Sequence, residues 1–322
     1  MKVIDDTGAI DRYLTTPNPE HYVIPASSLY EQVRDHLTLP QEARGARTPW
    51  NKCDASIRFR EGEVSLWHGM NHVGKTLITS QVAATLCEQD ERCCIASFEM
   101  KPKLTMARMT RQAAGGPEPS IGFIRRFHQW TDGRLWIFNH LGQIQADRVV
   151  ALVRFVHAKH KIRHLFVDSL MRCVKGEDDF NGQKDFVTDL CAAAMDTGVH
   201  VHLVHHTKKL SDESHRPTRY DAKGSGAISD QVDNVFGIWR NQAKERALKR
   251  DQFKDDTARE ECEAKPDTVI VNDKQRHGDW TGEISLWFNA RGTTFHGSKE
   301  QNPAPIVTVP GRQPGEDDEE AF

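Results

Sequence analysis

The sequence predicts an α/β fold in which a mostly parallel central sheet is flanked by helices. From residue 60 onward, short apolar runs typical of strands alternate with longer amphipathic runs typical of helices. The first strand-like run, EVSLWHG, leads through a glycine turn into the helix-like run KTLITSQVAATL. Such alternation is typical of a parallel sheet that helices cover.

The composition favours a globular protein of a reducing cytoplasm. A chain of 322 residues can bury a large core, and its formal net charge of −3 means that any nucleic-acid contact must be a local basic patch. The seven cysteines form no CxxC pair. No stretch has the pattern of a signal peptide or the length of a membrane span, so we expect no membrane contact.

Residues 1–50 predict an N-terminal arm with one short helix. Several prolines indicate an irregular chain up to about residue 25. The stretch SSLYEQVRDHL then predicts an amphipathic helix with a capping box from Ser28 to Glu31. Between packing on its own domain and docking on a neighbouring subunit, the sequence alone favours its own domain.

The later elements follow in alternating order. After the predicted strand CCIASFE come helix DRVVALVRFVHA, strand HLFVDS, helix FVTDLCAAAMDTG, and strands VHVHLVHH and NVFGIWR. Residues 241–267 are highly charged and predict an exposed insertion. DTVIVNDKQRHGDWTGEISLWFN predicts two strands, and the proline-rich and acidic residues 299–322 predict a disordered tail.

The glycine turn matches the phosphate-binding pattern GxxxxGK[ST]. The match, GMNHVGKT, stands between a strand and a helix, as its mechanism requires. Backbone amides there would cradle phosphates, Lys75 would reach the β and γ phosphates, and Thr76 would hold Mg²⁺. The pattern predicts hydrolysis of ATP or another NTP. The candidate nucleotide-binding residues of this segment are Gly69, Asn71, His72, Val73, Gly74, Lys75, Thr76 and Leu77.

Two carboxylates follow strands that should end at the same edge of the sheet. Asp168 ends HLFVDS and would hold Mg²⁺, although a strand-end aspartate also caps helices. Glu99 ends the strand after the phosphate-binding helix and would act as the base that activates water. Because the carboxyl ends of parallel strands converge, both side chains should face the γ-phosphate.

The histidine-rich strand HVHLVHH allows three interpretations: a metal site, a catalytic base or a phosphate contact. Strand alternation places His200, His202 and His206 on one side and His205 on the other. A metal would need carboxylate or cysteine ligands, and none is apparent nearby in the sequence. We therefore interpret His200 and His202 as structural.

The order of these motifs resembles the RecA-like ATPase domain of DnaB-family replicative hexameric DNA helicases, particularly the helicase half of phage primase-helicases and of Twinkle. The resemblance covers about residues 60–296. It implies a RecA-like P-loop NTPase domain over residues 51–298 and a linker helix that packs on the adjacent subunit. The matching segments are GMNHVGKT, ASFEMK with LTMARM behind it, HLFVDS, VHLVHHTKK, GSGAISDQVDNVFGIWRNQ and NDKQRHGDWTGEISLWFN.

The resemblance also implies roles for residues near the strand ends. His206 corresponds to a polar sensor of the γ-phosphate. Lys274 and Arg276 correspond to a basic pair that reaches the nucleotide of the neighbouring subunit, although without the resemblance they would be an ordinary solvated strand edge. Arg240 and Phe288 correspond to the residues that sandwich the base, and a place in the core is nearly as good an interpretation of Phe288.

The polar stretch after His206 corresponds to loops that line the central channel of the ring and hold single-stranded DNA. Its length and lack of a core pattern indicate a functional loop. Glycines there suit close approach to a phosphate, or simply a flexible turn. The candidate DNA-binding residues are Lys208, Lys209, Lys223, Gly224 and Ser225.

The resemblance therefore implies an ATP-dependent hexameric DNA helicase that moves 5′ to 3′ on single-stranded DNA and unwinds a replication fork. No primase domain precedes residue 60, so we expect a helicase of phage or mobile-element origin without its own primase, in a bacterial or phage-infected host cell. Two alternatives are a RecA/RadA-like recombinase or loader that does not unwind DNA, and an ATP-binding adaptor. The acidic tail resembles tails that contact DNA polymerase, primase or single-strand-binding protein, and would otherwise only aid solubility.

Overall fold

The computed structural model of the chain describes residues 2–4, 25–38, 45–176, 178–208, 212–224, 226–278 and 280–300. Most of the predicted acidic tail lies outside the described residues. So do two of the candidate DNA-binding residues, Lys209 and Ser225.

Strands and helices alternate through most of the described chain. The strands are β1 (Lys2–Ile4), β2 (Val64–Gly69), β3 (Cys93–Ser97), β4 (Leu135–Phe138), β5 (His164–Asp168), β6 (His200–His206), β7 (Asn234–Arg240), β8 (Thr268–Gln275), β9 (Gly282–Asn289) and β10 (Thr294–His296). The α-helices are α1 (Tyr30–Thr38), α2 (Lys75–Glu88), α3 (Pro102–Ala114), α4 (Ile121–Trp130), α5 (Ala146–His160), α6 (Phe180–Thr197), α7 (Gly226–Gln231), α8 (Gln242–Arg250) and α9 (Asp256–Ala264). In the described part of the chain, each helix is too short or too polar to cross a bilayer.

The strands form one sheet in the order β1-β4-β3-β5-β6-β2-β7-β8-β9-β10. Strands β1 to β7 pair in parallel, whereas β8, β9 and β10 are joined by antiparallel pairing. The predicted α/β fold with a mostly parallel sheet is therefore confirmed. In this order the strands that lead to Glu99, Asp168, His206 and the phosphate-binding loop are successive neighbours, and all four point the same way.

Helices cover both faces of the sheet because side chains of a strand point alternately to its two sides. Leu66 packs with Val153 of α5 and Leu190 of α6 in one apolar cluster. Its neighbour Trp67 belongs to a second cluster with Ile78 of α2. Strand β2 is buried along its whole length, so the loop that follows it is supported from both sides.

The charged residues 241–267, which we expected to be an exposed insertion without core pattern, fold into helices α8 and α9. Each helix begins with a side-chain cap: Asn241 Oδ1 accepts from the Lys244 amide at 3.0 Å, and Asp255 Oδ1 accepts from the Ala258 amide at 2.8 Å. Capping groups satisfy amides at a helix start independently of apolar periodicity. The apolar pattern by itself therefore did not reveal these two helices.

The N-terminal helix α1 forms near its expected position, but its predicted capping box does not. A 3-10 turn over Ala26–Leu29 precedes the helix, and the Ser28 hydroxyl donates to Pro25 O at 2.7 Å. The apolar side chains of α1 are exposed, so the expected packing on its own domain is not observed among the residues that the structure describes. Their exposed fractions are 66% for Tyr30, 50% for Val33 and 74% for Leu37.

The segment that precedes α7 lies directly on strand β7, and a glycine makes this approach possible. A methyl group placed on Gly237 would lie 2.0 Å from Pro217 O, well inside van der Waals contact. The guanidinium of Arg216 stacks over Trp239, 5.3 Å from the ring centroid. The Trp239 indole also donates to Glu213 O at 2.7 Å. This segment is therefore attached to the sheet at several points.

We expect Gly237→Ala to lower the free energy of unfolding by about 1–3 kcal/mol, because the added methyl must displace backbone. Denaturant unfolding followed by circular dichroism measures this change. Gly116→Ala is the matched control, since a methyl there meets no atom within 4 Å. Equal stability of the two variants would contradict the close approach.

Candidate functional site

The phosphate-binding loop connects β2 to α2 and folds around the Lys75 ammonium. Lys75 Nζ donates to Gly69 O at 2.9 Å and to Met70 O at 2.8 Å. Burial lowers the Lys75 pKa to about 8. Gly74 has a φ of 97°, and a methyl group on it would lie 3.2 Å from the ring of Phe295. The backbone conformation therefore favours glycine there, and the adjacent ring leaves little room for a side chain.

The first helical turn after the loop carries Thr76, whose hydroxyl donates to Asp168 Oδ2 at 2.9 Å. Asp168 is only 9% exposed. Burial raises its pKa, the charge of Glu99 adds to this effect, and the hydrogen bond from Thr76 opposes it. A buried carboxylate and a hydroxyl side by side are the oxygen ligands that suit Mg²⁺ when phosphate oxygens and water complete its shell. The two residues therefore fit the predicted metal role.

Glu99 lies two residues beyond the end of β3, next to Asp168. Strand pairing sets Ser97 opposite Asp168, and the Phe98 amide donates to Asp168 O at 2.8 Å. Glu99 Oε1 accepts from Ser169 Oγ at 3.3 Å and from Arg172 Nε at 3.2 Å. The Glu99 side chain is 42% exposed, so it is open to water. Sequence reasoning did not identify Ser169 or Arg172 as its partners.

The last residue of β6, His206, lies beside the phosphate-binding loop. It pairs with Gly69 in the sheet, and the Thr207 amide donates to Gly69 O at 3.1 Å. His206 Nδ1 lies 3.5 Å from Lys75 Nζ. This position is compatible with the predicted γ-phosphate contact, which stays a prediction.

The other histidines of this strand are buried and hydrogen-bonded. His200 Nδ1 donates to Arg60 O at 2.6 Å, and its Nε2 accepts from Ser65 Oγ at 2.8 Å. Trp67 Nε1 donates to His202 Nδ1 at 3.3 Å. Burial lowers the His200 pKa to about 4 and lowers the His202 pKa well below its usual value. Across the described residues, no cluster of three or more His, Cys, Asp or Glu side chains is placed to hold a metal ion.

The end of β6 is bonded directly to the candidate DNA-binding segment. The Lys223 amide donates to His206 O at 2.9 Å. On the other side of the strand, His205 Nε2 donates to Lys223 O at 2.5 Å. Both the amide and the carbonyl of Lys223 are thus held by the strand that reaches Lys75.

The same segment also has local structure that the sequence did not reveal. A 3-10 turn, Arg219–Asp221, begins with a capping box formed by Thr218 and Asp221. Lys208 is exposed, and its amide donates to Asp221 O at 2.9 Å. Gly224 has a φ of 95°, and a methyl group there would overlap the Gln183 side chain at 1.9 Å. Its glycine is therefore structurally required, which the flexible-turn interpretation did not anticipate.

Arg240, at the end of β7, connects the phosphate-binding loop to helix α8. Its Nε and Nη2 donate to the two carboxylate oxygens of Glu245 at 2.5 and 2.9 Å. Its Nη1 donates to His72 O at 2.8 Å. Glu245 was not identified from the sequence, because nothing in its spacing marks it as a partner. A bidentate carboxylate fixes the plane of the guanidinium beside the loop.

Phe288 lies on the surface rather than in the core. Its side chain is 38% exposed, and its ring centroid lies 5.0 Å from that of Phe295. Phe295 in turn contacts Gly74 of the phosphate-binding loop. A cavity of about 290 Å³ opens beside Phe288 between α8, α9 and β9. Phe288 is thus exposed close to the loop, which is compatible with stacking on a base.

Lys274 and Arg276 lie at the opposite edge of the sheet from the phosphate-binding loop. Gln275 pairs with Asn234 at the start of β7, and Asn234 pairs with Ser65 at the start of β2. Strand β2 separates this edge from the loop by roughly 15 Å at ~3.3 Å per residue. The two side chains therefore do not reach the nucleotide site of their own chain.

Within the chain, this basic pair contacts the end of α7. Lys274 Nζ donates to Ser229 O at 3.0 Å and to Asp230 O at 2.7 Å. Arg276 Nη2 donates to Gln231 O at 2.9 Å, and its Nε lies 3.0 Å from Asp233 Oδ1. The Arg276 side chain is still 46% exposed. It therefore remains accessible to another chain.

The site geometry agrees with the similarity to known proteins. A family model described as an AAA domain matches residues 44–212, more than half of the chain. The chain belongs to the AAA domain family. The RecA-like P-loop fold is confirmed by similarity to two solved structures, and the sequence-based resemblance is confirmed by the family match together with a phage relative.

Two solved structures resemble this AAA domain. One is a DnaB-like replicative helicase, described together with its interactions with primase. Its TM-score is 0.66 and its sequence identity is 17%, and the match covers 85% of this chain and 67% of that chain. The other is the ATPase domain of G40P, with a TM-score of 0.67, 17% identity, and coverage of 88% and 99% respectively.

A relative by sequence is the DNA helicase/primase of Enterobacteria phage T3. It is 22% identical over 245 residues, which cover 68% of this chain and 43% of the phage protein. The chain therefore spans less than half the length of this relative.

We expect Arg240→Ala to weaken nucleotide binding by the AAA domain about 10-fold, because a charged hydrogen bond to the loop is lost. The effect should be equal for ATP and ADP, since the loop backbone cradles the phosphates common to both. Titration with fluorescent nucleotides measures it. Arg246→Ala, in the same helix as Glu245, is the control. Unchanged affinity in Arg240→Ala would show that the loop does not need this support.

Proposed function

We propose that the chain is the ATPase motor of a ring-forming, hexameric DNA helicase that unwinds duplex DNA as it moves 5′ to 3′ along one strand. The observation that carries this proposal is the bonding of Lys223 to the end of β6. The strand end that places His206 beside Lys75 also holds the Lys223 amide and carbonyl. A change in phosphate occupancy at His206 would therefore act directly on the segment that holds DNA.

Hydrolysis in this proposal uses the residues at the carboxyl edge of the sheet. Lys75 contacts the β and γ phosphates, while Thr76 and Asp168 would hold Mg²⁺, which neutralises developing charge on the phosphates. Glu99 takes a proton from water as the water oxygen bonds to the γ-phosphorus. The bond from that phosphorus to the bridging oxygen breaks, and ADP leaves with the electron pair. The exposure of Glu99 supports this role.

The base of the nucleotide would stack between Arg240 and Phe288. The Arg240 guanidinium is held in one plane by Glu245, and Phe288 is exposed close to the same loop. A guanidinium plane and an aromatic ring stack on any base, so this pocket would accept ATP and other nucleoside triphosphates.

A neighbouring subunit would complete each site. Lys274 and Arg276 lie at the sheet edge away from their own phosphate-binding loop, so they would serve the loop of the next chain in a head-to-tail ring. An arginine supplied this way contributes ~10³ to 10⁵ in turnover in other phosphate-transfer enzymes. The exposed apolar side of α1 supports docking of that helix on the adjacent subunit.

DNA would contact the segment between β6 and α7 in the ring channel. Lys208 is exposed, and the backbone at Lys223 and Gly224 is held in place by β6 and α6. Lys209 and Ser225 belong to the same proposed contact. Lysines would bind phosphates of any sequence, as movement along DNA requires.

The proposed partners follow from the relatives and from the tail. The phage T3 relative is a DNA helicase/primase, and the DnaB-like structure was described with its interactions with primase. We propose that the acidic residues 299–322 contact a replication protein such as primase, DNA polymerase or single-strand-binding protein, with the acids steering a basic partner. The work would take place at replication forks in a bacterial or phage-infected cell.

We expect the wild type to open a forked duplex through its 5′ tail and to hydrolyse ATP faster on single-stranded DNA. Lys75→Ala should lose unwinding and lower hydrolysis at least ~100-fold, because a main phosphate contact is removed. Fluorescent strand separation and phosphate release measure the two activities, with the exposed Lys159→Ala as control. Hydrolysis on single strands without opening of any fork would instead support a recombinase or loader.

Mixed rings test whether Arg276 acts on the neighbouring subunit. We expect Lys75→Ala and Arg276→Ala each to be inactive alone. Rings assembled from both variants should recover about a quarter of wild-type hydrolysis. Random mixing places an intact loop next to an intact arginine at about a quarter of the subunit interfaces. Recovery is measured on rings purified through two different tags. Absence of recovery, with ring assembly intact, would place Arg276 outside the neighbour's site.

A further inference from the structure

The backbone of the 3-10 turn Arg219–Asp221 is held at each of its three residues. The Arg219 amide donates to Asp273 Oδ2 of β8 at 2.7 Å. The Tyr220 carbonyl accepts from Lys208 Nζ at 3.3 Å, and the Asp221 carbonyl accepts from the Lys208 amide at 2.9 Å. The turn is therefore fixed both to β8 and to the chain that leaves β6, so its backbone is ordered before any ligand binds.

Tyr220, the middle residue of this turn, exposes its aromatic ring to solvent. Its side chain is 69% exposed. The Arg219 guanidinium lies 4.9 Å from the ring centroid, and Arg219 Nη2 donates to the Tyr220 hydroxyl at 2.7 Å. One exposed apolar side chain is common on any protein surface and does not by itself indicate a ligand. The surroundings of Tyr220 therefore have to decide its role.

Those surroundings are basic on both sides of the turn. Lys208 is exposed, and its ammonium has three N–H donors, so the bond to Tyr220 O leaves others for a phosphate. Lys223 follows three residues after Tyr220, and its amide donates to His206 O at 2.9 Å. The acid of the turn, Asp221, already accepts hydrogen bonds within its own capping box. Surfaces that bind single-stranded nucleic acid combine these two features, cations that contact phosphates and aromatic rings that stack on bases.

We propose that Tyr220 stacks on an unpaired base of the DNA strand whose phosphates contact Lys208 and Lys223. This inference rests on the proposed DNA contact and adds a contact to the base. Bases of a duplex are paired and stacked on one another, so the ring finds a free base face only on a single strand. Tyr220 therefore contributes to the preference for single-stranded over duplex DNA. Because every base has a π face, the contact tolerates any sequence, as movement along DNA requires.

The proposal is tested by comparing a thymidine oligonucleotide with an abasic strand of the same length, which keeps the phosphates and lacks the bases. Tyr220→Ala should weaken binding of the thymidine strand about 5- to 100-fold, the range for loss of a base stacked on an aromatic ring. Its affinity for the abasic strand should stay within about twofold of wild type, as for a surface change that leaves folding intact. Fluorescence anisotropy of the full chain, with a non-hydrolysable ATP analogue and magnesium, measures both affinities.

The salt dependence of binding separates the ring from the lysines. Lys208→Ala should weaken both strands and lower the slope of log affinity against log salt by at least ~0.7, since a phosphate contact is lost. Tyr220→Ala should leave this slope unchanged, because a stacked ring releases no counterions. A lowered slope in Tyr220→Ala would show that its loss acts through the phosphate contacts, and would overturn the proposal.

Two further variants separate stacking from a structural role of the tyrosine. Tyr220→Phe keeps the ring and loses the bond from Arg219, so it should retain most of the affinity for the thymidine strand. Met195→Ala removes an equally exposed apolar side chain, 70% exposed and beside Gly62 at the other edge of the sheet, and should bind like the wild type. Equal weakening of both strands in Tyr220→Ala, no weakening at all, or a loss in Tyr220→Phe as large as in Tyr220→Ala would overturn the proposal.

The outcome also separates this inference from the proposed function. A wild type that binds neither strand would end both the proposed DNA contact and the stacking of Tyr220. A wild type that binds the thymidine and abasic strands equally well would keep the phosphate contacts and end only the assignment of Tyr220.

Discussion

The parallel pairing of β2 with β6, which sets Gly69 opposite His206, is the constraint on which the rest of the site depends. Both strands are buried almost throughout, so neither can shift its register without exposing its apolar residues. The pairing places Lys75 beside His206 and, through the next backbone groups, attaches the segment proposed to bind DNA at Lys223. The proposed phosphate and DNA contacts would therefore share one rigid strand end.

In the proposed ring, the two edges of the sheet would divide the chemistry between chains. The edge at the carboxyl ends of the parallel strands gathers the loop, Thr76, Asp168 and Glu99. The opposite edge carries Lys274 and Arg276, held by carbonyls at the end of α7. A single chain therefore has the phosphate cradle but keeps its own basic pair away from it, and assembly into a ring would be what brings the two edges together.

Much of the fold was predictable because its signals are local. Alternating apolar runs gave β2, α2, β5 and the mostly parallel sheet. The two capped helices α8 and α9 were not predicted, because their residues are mostly charged and the side-chain caps that start them were not recognised in the sequence. The capping box at Ser28 did not form, because a 3-10 turn begins before it. Similarly, the apolar side chains of α1 are exposed among the described residues, so the covering contact that the sequence favoured is not seen there.

For the site, the sequence by itself determined the residue types and their order along the chain. Four features could be assigned because each lies at or just after the end of a strand, and parallel strands bring their carboxyl ends together. They are GMNHVGKT, Glu99, Asp168 and the end of β6. Only the tertiary structure decided which partners each side chain has. Glu245 holds Arg240, and Lys223 bonds to both His205 and His206. Some of these contacts join residues that are distant in sequence, and others follow no helix or strand periodicity. They could therefore be seen only in the packed structure.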